Sequence, residues 1–420
     1  MHFRDHDAAA NLATQGTNRP TGMMKHGIST NATGVLMNAR HSFIALSLLV
    51  SAPLSVSSSA QAETFSTLIT TPLAIEGLTN DNQGNLYTPG RGGSPCPVWR
   101  VNIANPSLVV VGTIPAPCSP SGLAFNRAGR LFVSQGDSIY SFIPNSSSPP
   151  PATVFASGVP GTNGLAFDRN GNLWTGDGTT GDGRVWQIGP AGGVGVEMFR
   201  VQPMANNVNA VGGVGGVGRD ARTLPQGTIT FTGPNPRTAT NTAGSQPLVA
   251  NGVAFNRQGD LLIADTARGA IWRVQFESGG TLRSKTGCDT TFTPNTLCLD
   301  NIFVQHPLLD GADGIALDEA GNIWVSANER NAMVLVSNTG EVTEVFRNPP
   351  DPASQLRNGG PLETPTSPTL AGQKLCTANS DGGRRDNAPN SAGELPAQGL
   401  GKISCMNERL QVRGLPLPIR

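Results

Sequence analysis

Apolar residues along the chain fall in short runs separated by polar turns, and one spacing recurs. Five segments align without gaps: EGLTNDNQGNLY from Glu76, SGLAFNRAGRLF from Ser121, NGLAFDRNGNLW from Asn163, NGVAFNRQGDLL from Asn251 and DGIALDEAGNIW from Asp313. Each holds two glycines seven residues apart, such as Gly164 and Gly171. In that copy Leu165-Ala166-Phe167 is a short apolar strand, Asp168-Arg169-Asn170-Gly171 supplies the turn and Asn172-Leu173-Trp174 returns. The pattern predicts a β-hairpin, because an Asx side chain opens a turn by bonding nearby backbone N–H groups and a glycine closes it at positive φ. Third strands follow at Arg184–Ile188 and Ala270–Val274. Such a repeat, three or four antiparallel strands per unit, is a propeller blade.

The first glycines of the five units are 45, 42, 88 and 62 residues apart. Within the long gap the stretch from about 190 to 247 is rich in Gly, Asn and Thr and lacks the hairpin motif, so it reads as an insertion rather than a degenerate seventh blade. A sixth blade is carried by the segment from Pro365 to Asn379, with Gly401–Cys405 as its later strand. The expected fold is all-β: a six-bladed β-propeller of four-stranded antiparallel blades around a central channel, over residues 63–420.

Composition supports that reading. The 420 residues include 52 Gly and 33 Pro, the two poorest helix formers, which excludes a mostly helical fold. Lys+Arg and Asp+Glu balance at 29 each, so no charge excess is available to drive nucleic-acid or anionic-membrane binding.

Residues 1–62 read as a leader. From about 37 to 62 it has a basic start (Arg40), an apolar run from Phe43 and the small-x-small end Ala60-Gln61-Ala62, the three-part pattern of a secretory signal peptide. The run is too short and interrupted to span a membrane. A periplasmic or secreted protein is expected, its mature part carrying a formal charge of −2. All six cysteines lie in that part, and an even count in an exported chain favours disulfides. The simplest pairing is sequential: Cys96 with Cys118, Cys288 with Cys298, Cys376 with Cys405. Structural zinc is disfavoured because no C-x-x-C occurs.

The innermost strand of each blade lines the channel, so equivalent positions form a ring near one mouth. The residue before each first glycine is Glu76, Ser121, Asn163, Asn251 or Asp313. Taken singly, an Asn or Asp before Gly is an ordinary strand-entry cap. Together, two carboxylates and two amide carbonyls make an oxygen-only set that suits a hard divalent cation, calcium by preference, with Glu76, Asn163, Asn251 and Asp313 as ligands.

From about Ala74 onward the chain resembles the senescence marker protein / gluconolactonase superfamily of six-bladed propellers, related to paraoxonase and diisopropylfluorophosphatase. The resemblance rests on the GNLW-type hairpins, on Glu76 in blade one, Asn251 in blade four and Asp313 in blade five, and on PTSPTLAGQKLCTANSD as a last blade. In blade three the family often reads Asn-Asp-Gly, where this chain has Thr162-Asn163-Gly164. The resemblance implies hydrolysis of a small-molecule lactone or related ester, with a channel calcium polarising the carbonyl and Asp313 as base or nucleophile.

Two other readings compete. A non-catalytic propeller of the NHL kind shares GIALDEAGNIWVS-like blades but has no need of the polar ring. A streptogramin-lyase-like propeller needs a seventh blade and a histidine, and His306 is the only histidine after the leader. A Ser-His-Asp triad lacks a G-x-S-x-G elbow. The GxGxxG match at Gly213 lacks a βαβ context, and the loop from Asp177 to Asp182 lacks calcium-loop spacing and reads as a connection between blades.

Overall fold

The computed structural model describes residues 64–203, 248–290, 292–350, 352, 357, 359–380 and 400–418, with the backbone of 227–231 and 237–241. Six blades, each built on four antiparallel strands and the second carrying a short fifth strand, follow one another around a channel. From inside outward, blade one is Thr79–Asn80, Asn85–Pro89, Cys96–Asn102 and Val109–Ile114; blade two is Leu123–Phe125, Leu131–Gln135, Ser138–Phe142 and Thr153–Ser157. Blade three is Thr162–Phe167, Leu173–Asp177, Arg184–Ile188 and Val196–Arg200; blade four is Val253–Phe255, Leu261–Asp265, Ala270–Val274 and Ile302–Gln305. Blade five is Ala312–Leu317, Ile323–Ala327, Ala332–Val336 and Val342–Arg347. Blade six takes Pro365–Ala371, Lys374–Asn379 and Gly401–Met406 from the end of the chain, and its outermost strand, Phe65–Thr71, from the start. Pairing the two ends of the chain in one sheet closes the circle, a step the repeat pattern does not reveal.

The hairpin turns form as the sequence predicts. Asp168 Oδ1 accepts from the backbone N–H groups of Asn170 and Asn172, both at 2.9 Å, while Oδ2 accepts from Asn172 Nδ2 and Trp174 Nε1. Asp318 repeats the set with Ala320, Asn322 and Trp324. One carboxylate thus closes a turn and fixes an indole of the returning strand. The core lies between blades, where Trp272 is fully buried with Val249, Phe255 and Leu317 in the same cluster.

Two expectations change. The insertion expected from about 190 begins later: Gly193–Val194 pairs in parallel with Ala156 and Ser157 of blade two, and Val196–Arg200 is the outer strand of blade three. Most of the remainder lies outside the described residues; Gly227–Phe231 and Arg237–Asn241 pair as a hairpin separate from the blades. The inner strands of blades three and four are direct neighbours, with Gly164 against Asn251, so no seventh blade stands between them. The loop after Asp177 joins the second and third strands of blade three rather than two blades, and Asp177 is bound there by Thr180 and Arg184.

The three disulfides pair sequentially as expected, bridging Cys96 to Cys118, Cys288 to Cys298 and Cys376 to Cys405. They point to an oxidising compartment. Among the described residues no helix is long and apolar enough to cross a membrane. The expected leader lies outside the described residues.

At the turn end of the channel the segment 413–418 crosses the blades. Glu319 N–H donates to Arg413 O and Leu415 N–H to Leu317 O, both at 2.8 Å, and Asn82 Nδ2 donates to Leu417 O at 2.7 Å. Leu415 and Leu417 close a small apolar cavity of about 100 Å³ lined by Leu123, Phe167 and Val253 among others. The polar ring therefore sits at the opposite mouth from this apolar stopper.

Replacing the turn glycine Gly84, at φ +87° with no atom within 4 Å of an added Cβ, by Ala carries only the backbone penalty, about 1–2 kcal/mol. Gly252→Ala places its Cβ 2.4 Å from Asp313 O and is expected to cost about 3 kcal/mol or more. Equal losses in denaturant titrations would show that the glycines do not set the blade spacing.

Burial, aided by Asp81, whose Oδ2 accepts from the phenol at 3.2 Å, pushes the Tyr87 hydroxyl up to about 12, with Arg100 acting in the opposite sense. Since the folded value is the raised one, its contribution to stability is complete below the ordinary value of 10.0 and is lost as pH rises towards 12. In a Tyr140→Phe variant, ultraviolet titration of the remaining tyrosine is expected to give a midpoint near 12; a midpoint near 10 would contradict the assignment.

Candidate functional site

The ring is assembled by close approach of neighbouring blades. At each of the five first glycines, an added Cβ would lie 2.0–2.8 Å from the backbone oxygen of the ring residue in the next blade: Gly77 meets Ser121, Gly122 meets Asn163, Gly164 meets Asn251 and Gly252 meets Asp313. Gly314 meets Thr366, whose Oγ1 donates to Glu76 O at 2.6 Å and closes the circle. Thr366 is therefore the sixth ring residue, and Ser367 stands where the other blades have glycine. Sequence comparison misses this position because Ser367-Pro368 replaces the Gly-apolar pair.

All five sequence-predicted positions fall on this ring. Asn163 Nδ2 donates to Glu76 Oε1 at 3.2 Å. Asn163 and Asn251 converge on Gly178, where an added Cβ would lie 2.6 Å from Asn163 Nδ2 and 2.8 Å from Asn251 Oδ1. Asp313, in the next blade, accepts through Oδ2 from Asn328 Nδ2 at 2.8 Å. Asn163, Asn251 and Asp313 are all buried.

A second set of residues, missed in the sequence, supports the first. It lies at the end of each second strand, fifteen residues after the ring residue. Arg91 contacts Glu76, Gly178 leaves room beside Asn163, Thr266 accepts from Asn251 Nδ2 at 3.1 Å, and Asn328 holds Asp313. The constant spacing was available in the repeat, seven residues beyond each turn glycine.

Arg91 changes the charge of the site. Its Nη1 donates to Glu76 Oε2, while Nε and Nη2 both reach Ser119 Oγ, at 3.1 and 2.9 Å. Counting this guanidinium, Glu76, Asp313 and Arg91 sum to −1 rather than the −2 expected from the ring alone. Ser119 follows Cys118, so the Cys96–Cys118 bridge anchors the loop that holds Arg91. Beside the ring, across blades one to three, a cleft of about 510 Å³ is lined by Arg91, Ser119, Ser121, Asp137, Tyr140 and Thr162 among others.

His306 does not join the ring contacts. It precedes the turn Pro307–Leu309 and its Nδ1 accepts from Leu308 N–H at 3.2 Å. Of the two features a streptogramin-lyase-like reading requires, the six-bladed closure omits the extra blade and the histidine serves a turn.

The donor chemistry fits a hard divalent cation. Two carboxylates and two amides lie on the ring, the missing Cβ of Gly178 lets the two amides approach each other, and Glu76, Asn163, Asn251 and Asp313 would hold the ion. Arg91 and the Asn163 amide, whose nitrogen is turned toward Glu76, are the two features such an ion would have to displace.

No curated protein sequence matches the chain. Among solved structures, a luciferin-regenerating enzyme is 14% identical, with 85% of this chain and 99% of that chain covered and a TM-score of 0.51. The calcium-binding protein regucalcin of Agrobacterium tumefaciens is 15% identical, with 86% and 97% covered and a TM-score of 0.51. At these identities the likeness is one of fold. The model of the SMP-30/Gluconolactonase/LRE-like region matches residues 214–377, which include Asn251 and Asp313. That match, on a six-bladed propeller, makes residues 214–377 similar to the SMP-30/gluconolactonase/LRE-like family.

Proposed function

We propose that this protein is an exported, calcium-dependent hydrolase of small lactones or related esters, acting at the polar mouth of the propeller. The observation that carries the reading is the gathering of two carboxylates and two amides on one ring of strand entries, with Glu76 bonded to Asn163 and the missing Cβ of Gly178 letting Asn163 and Asn251 converge. The family match over residues 214–377 supports ester chemistry as its class, and the likeness in fold to the calcium-binding protein regucalcin supports the metal.

A bound calcium would supply Lewis acidity at the substrate carbonyl. Asp313 would take the proton of the attacking water or attack directly. Its Oδ2 is held by Asn328, whose own backbone N–H donates to Gly311 O at 2.9 Å, so the carboxylate cannot swing freely. Burial of Asn163, Asn251 and Asp313 limits competing water, which strengthens every electrostatic contact made there. The cleft beside Arg91 would admit the acyl portion, with hydroxyls from Ser119, Ser121 and Thr162 along its walls.

A non-catalytic binding propeller is the second reading, favoured by the fact that both Glu76 oxygens already accept hydrogen bonds from protein donors.

In a lactone and aryl-ester panel, chelator is expected to abolish turnover and calcium to restore it. Asp313→Asn and Glu76→Gln should each lower kcat/KM by about 10²-fold or more. Turnover indifferent to chelator and to both substitutions would refute the mechanism, and a folded protein that binds calcium but turns over nothing would favour the binding propeller. Gly178→Ala should weaken calcium binding in calorimetry by pushing both amides aside; unchanged affinity would remove Asn163 and Asn251 from the ligand set.

A further inference from the structure

We propose that Arg91 is a built-in competitor of the channel cation for Glu76, and so sets the metal affinity of the site. The inference rests on the metal reading above and concerns a residue outside the ring. Three observations carry it.

First, the Glu76 carboxylate has a protein donor on each oxygen: Arg91 Nη1 on Oε2 and Asn163 Nδ2 on Oε1. A cation using Glu76 must take the place of the guanidinium, and Asn163 must turn its amide over to present oxygen. Second, the Glu76 side chain is only 14% exposed whereas that of Arg91 is 33% exposed. The contact is shielded from solvent on the carboxylate side, where charge is poorly screened, yet the guanidinium has an open side toward which to withdraw. Third, Arg91 has a second anchor. Nε and Nη2 both reach Ser119 Oγ, on the loop fixed by the Cys96–Cys118 bridge. It can release Glu76 without leaving the cleft.

The consequence is a lowered affinity. Calcium affinity in oxygen-ligand sites is tuned by the number of ligand charges, and a retained guanidinium cancels one of the two carboxylates. A displaced Arg91, still held by Ser119, would stand at the inner end of the cleft as the one cation among its lining residues.

Calorimetric titration of the full-length protein with calcium alone tests this. Arg91→Gln is expected to bind about tenfold more tightly or better, and Arg91→Lys, which keeps the charge, to stay within about threefold of the parent. On the unaltered protein, the rate of Arg91 modification by phenylglyoxal, followed by mass spectrometry, should rise several-fold with calcium. Equal or weaker binding by Arg91→Gln would overturn the proposal, as would a labelling rate unmoved by saturating calcium. If Glu76→Gln abolishes binding while Arg91→Gln leaves it unchanged, the metal reading stands and this inference falls. Should neither the parent nor any Arg91 variant bind, both fall together. Tight binding by Arg91→Gln without hydrolysis of any ester would sustain the inference and remove the hydrolase.

Discussion

The structure depends on one steric constraint: neighbouring blades approach so closely at the channel mouth that a backbone oxygen occupies the place of a missing Cβ. At Gly122 the Asn163 oxygen is 2.2 Å from that place, and at Gly252 the Asp313 oxygen is 2.4 Å away. No other residue fits without moving a backbone. The polar ring is a by-product of the same contact. Each ring residue is fixed by its backbone carbonyl being packed against the preceding blade, so its side chain enters the mouth at a set height. Hydroxyls reinforce the seam: Ser134 Oγ donates to Asn163 O and Thr266 Oγ1 to Ala312 O, both at 2.7 Å.

Buried polar groups gathered on an axis must be satisfied, and the second strand of each blade supplies partners in register. The same position, fifteen residues after the ring residue, is Arg in blade one, Gly in blades two and three, Thr in blade four and Asn in blade five. These choices divide the labour. Thr266 and Asn328 steady an amide and a carboxylate, Gly178 leaves volume, and Arg91 brings charge. Only the last lowers the negative charge available to a cation, which makes blade one the place where this ring departs most from a plain oxygen cage.

How much of this was legible follows from distance along the chain. The hairpins could be read because Asp168 and Gly171, or Asp318 and Gly321, act within a turn of four residues. The sequential disulfides were legible for the same reason, closing separations of 10 to 29 residues. Pairing of Phe65 with Met406 involves no local signal, so the strand that closes the circle was invisible. Val196–Arg200 was hidden by glycines on its approach and by the half-polar pattern of an outer strand. Arg91 was overlooked because attention to strand entries stops before the end of the second strand, where the partner of each ring residue sits.

The arrangement of charge around the ring has a direction. Glu76, Asn163, Asn251 and Asp313 occupy blades one, three, four and five, while Ser121 and Thr366 leave blades two and six with hydroxyls alone. The cleft lined by Ser119, Ser121 and Thr162 opens over the hydroxyl of blade two. A hydroxyl is cheaper to strip of water than a carboxylate or a paired guanidinium. On the proposed function, an acyl group entering the cleft would meet these hydroxyls together with the Asp137 carboxylate of blade two. Arg91 stands at the boundary between the two arcs, bonded to Glu76 on one side and to Ser119 on the other. Its position makes the occupancy of the charged arc and the shape of the cleft a single structural variable, because the guanidinium that leaves one must lean into the other.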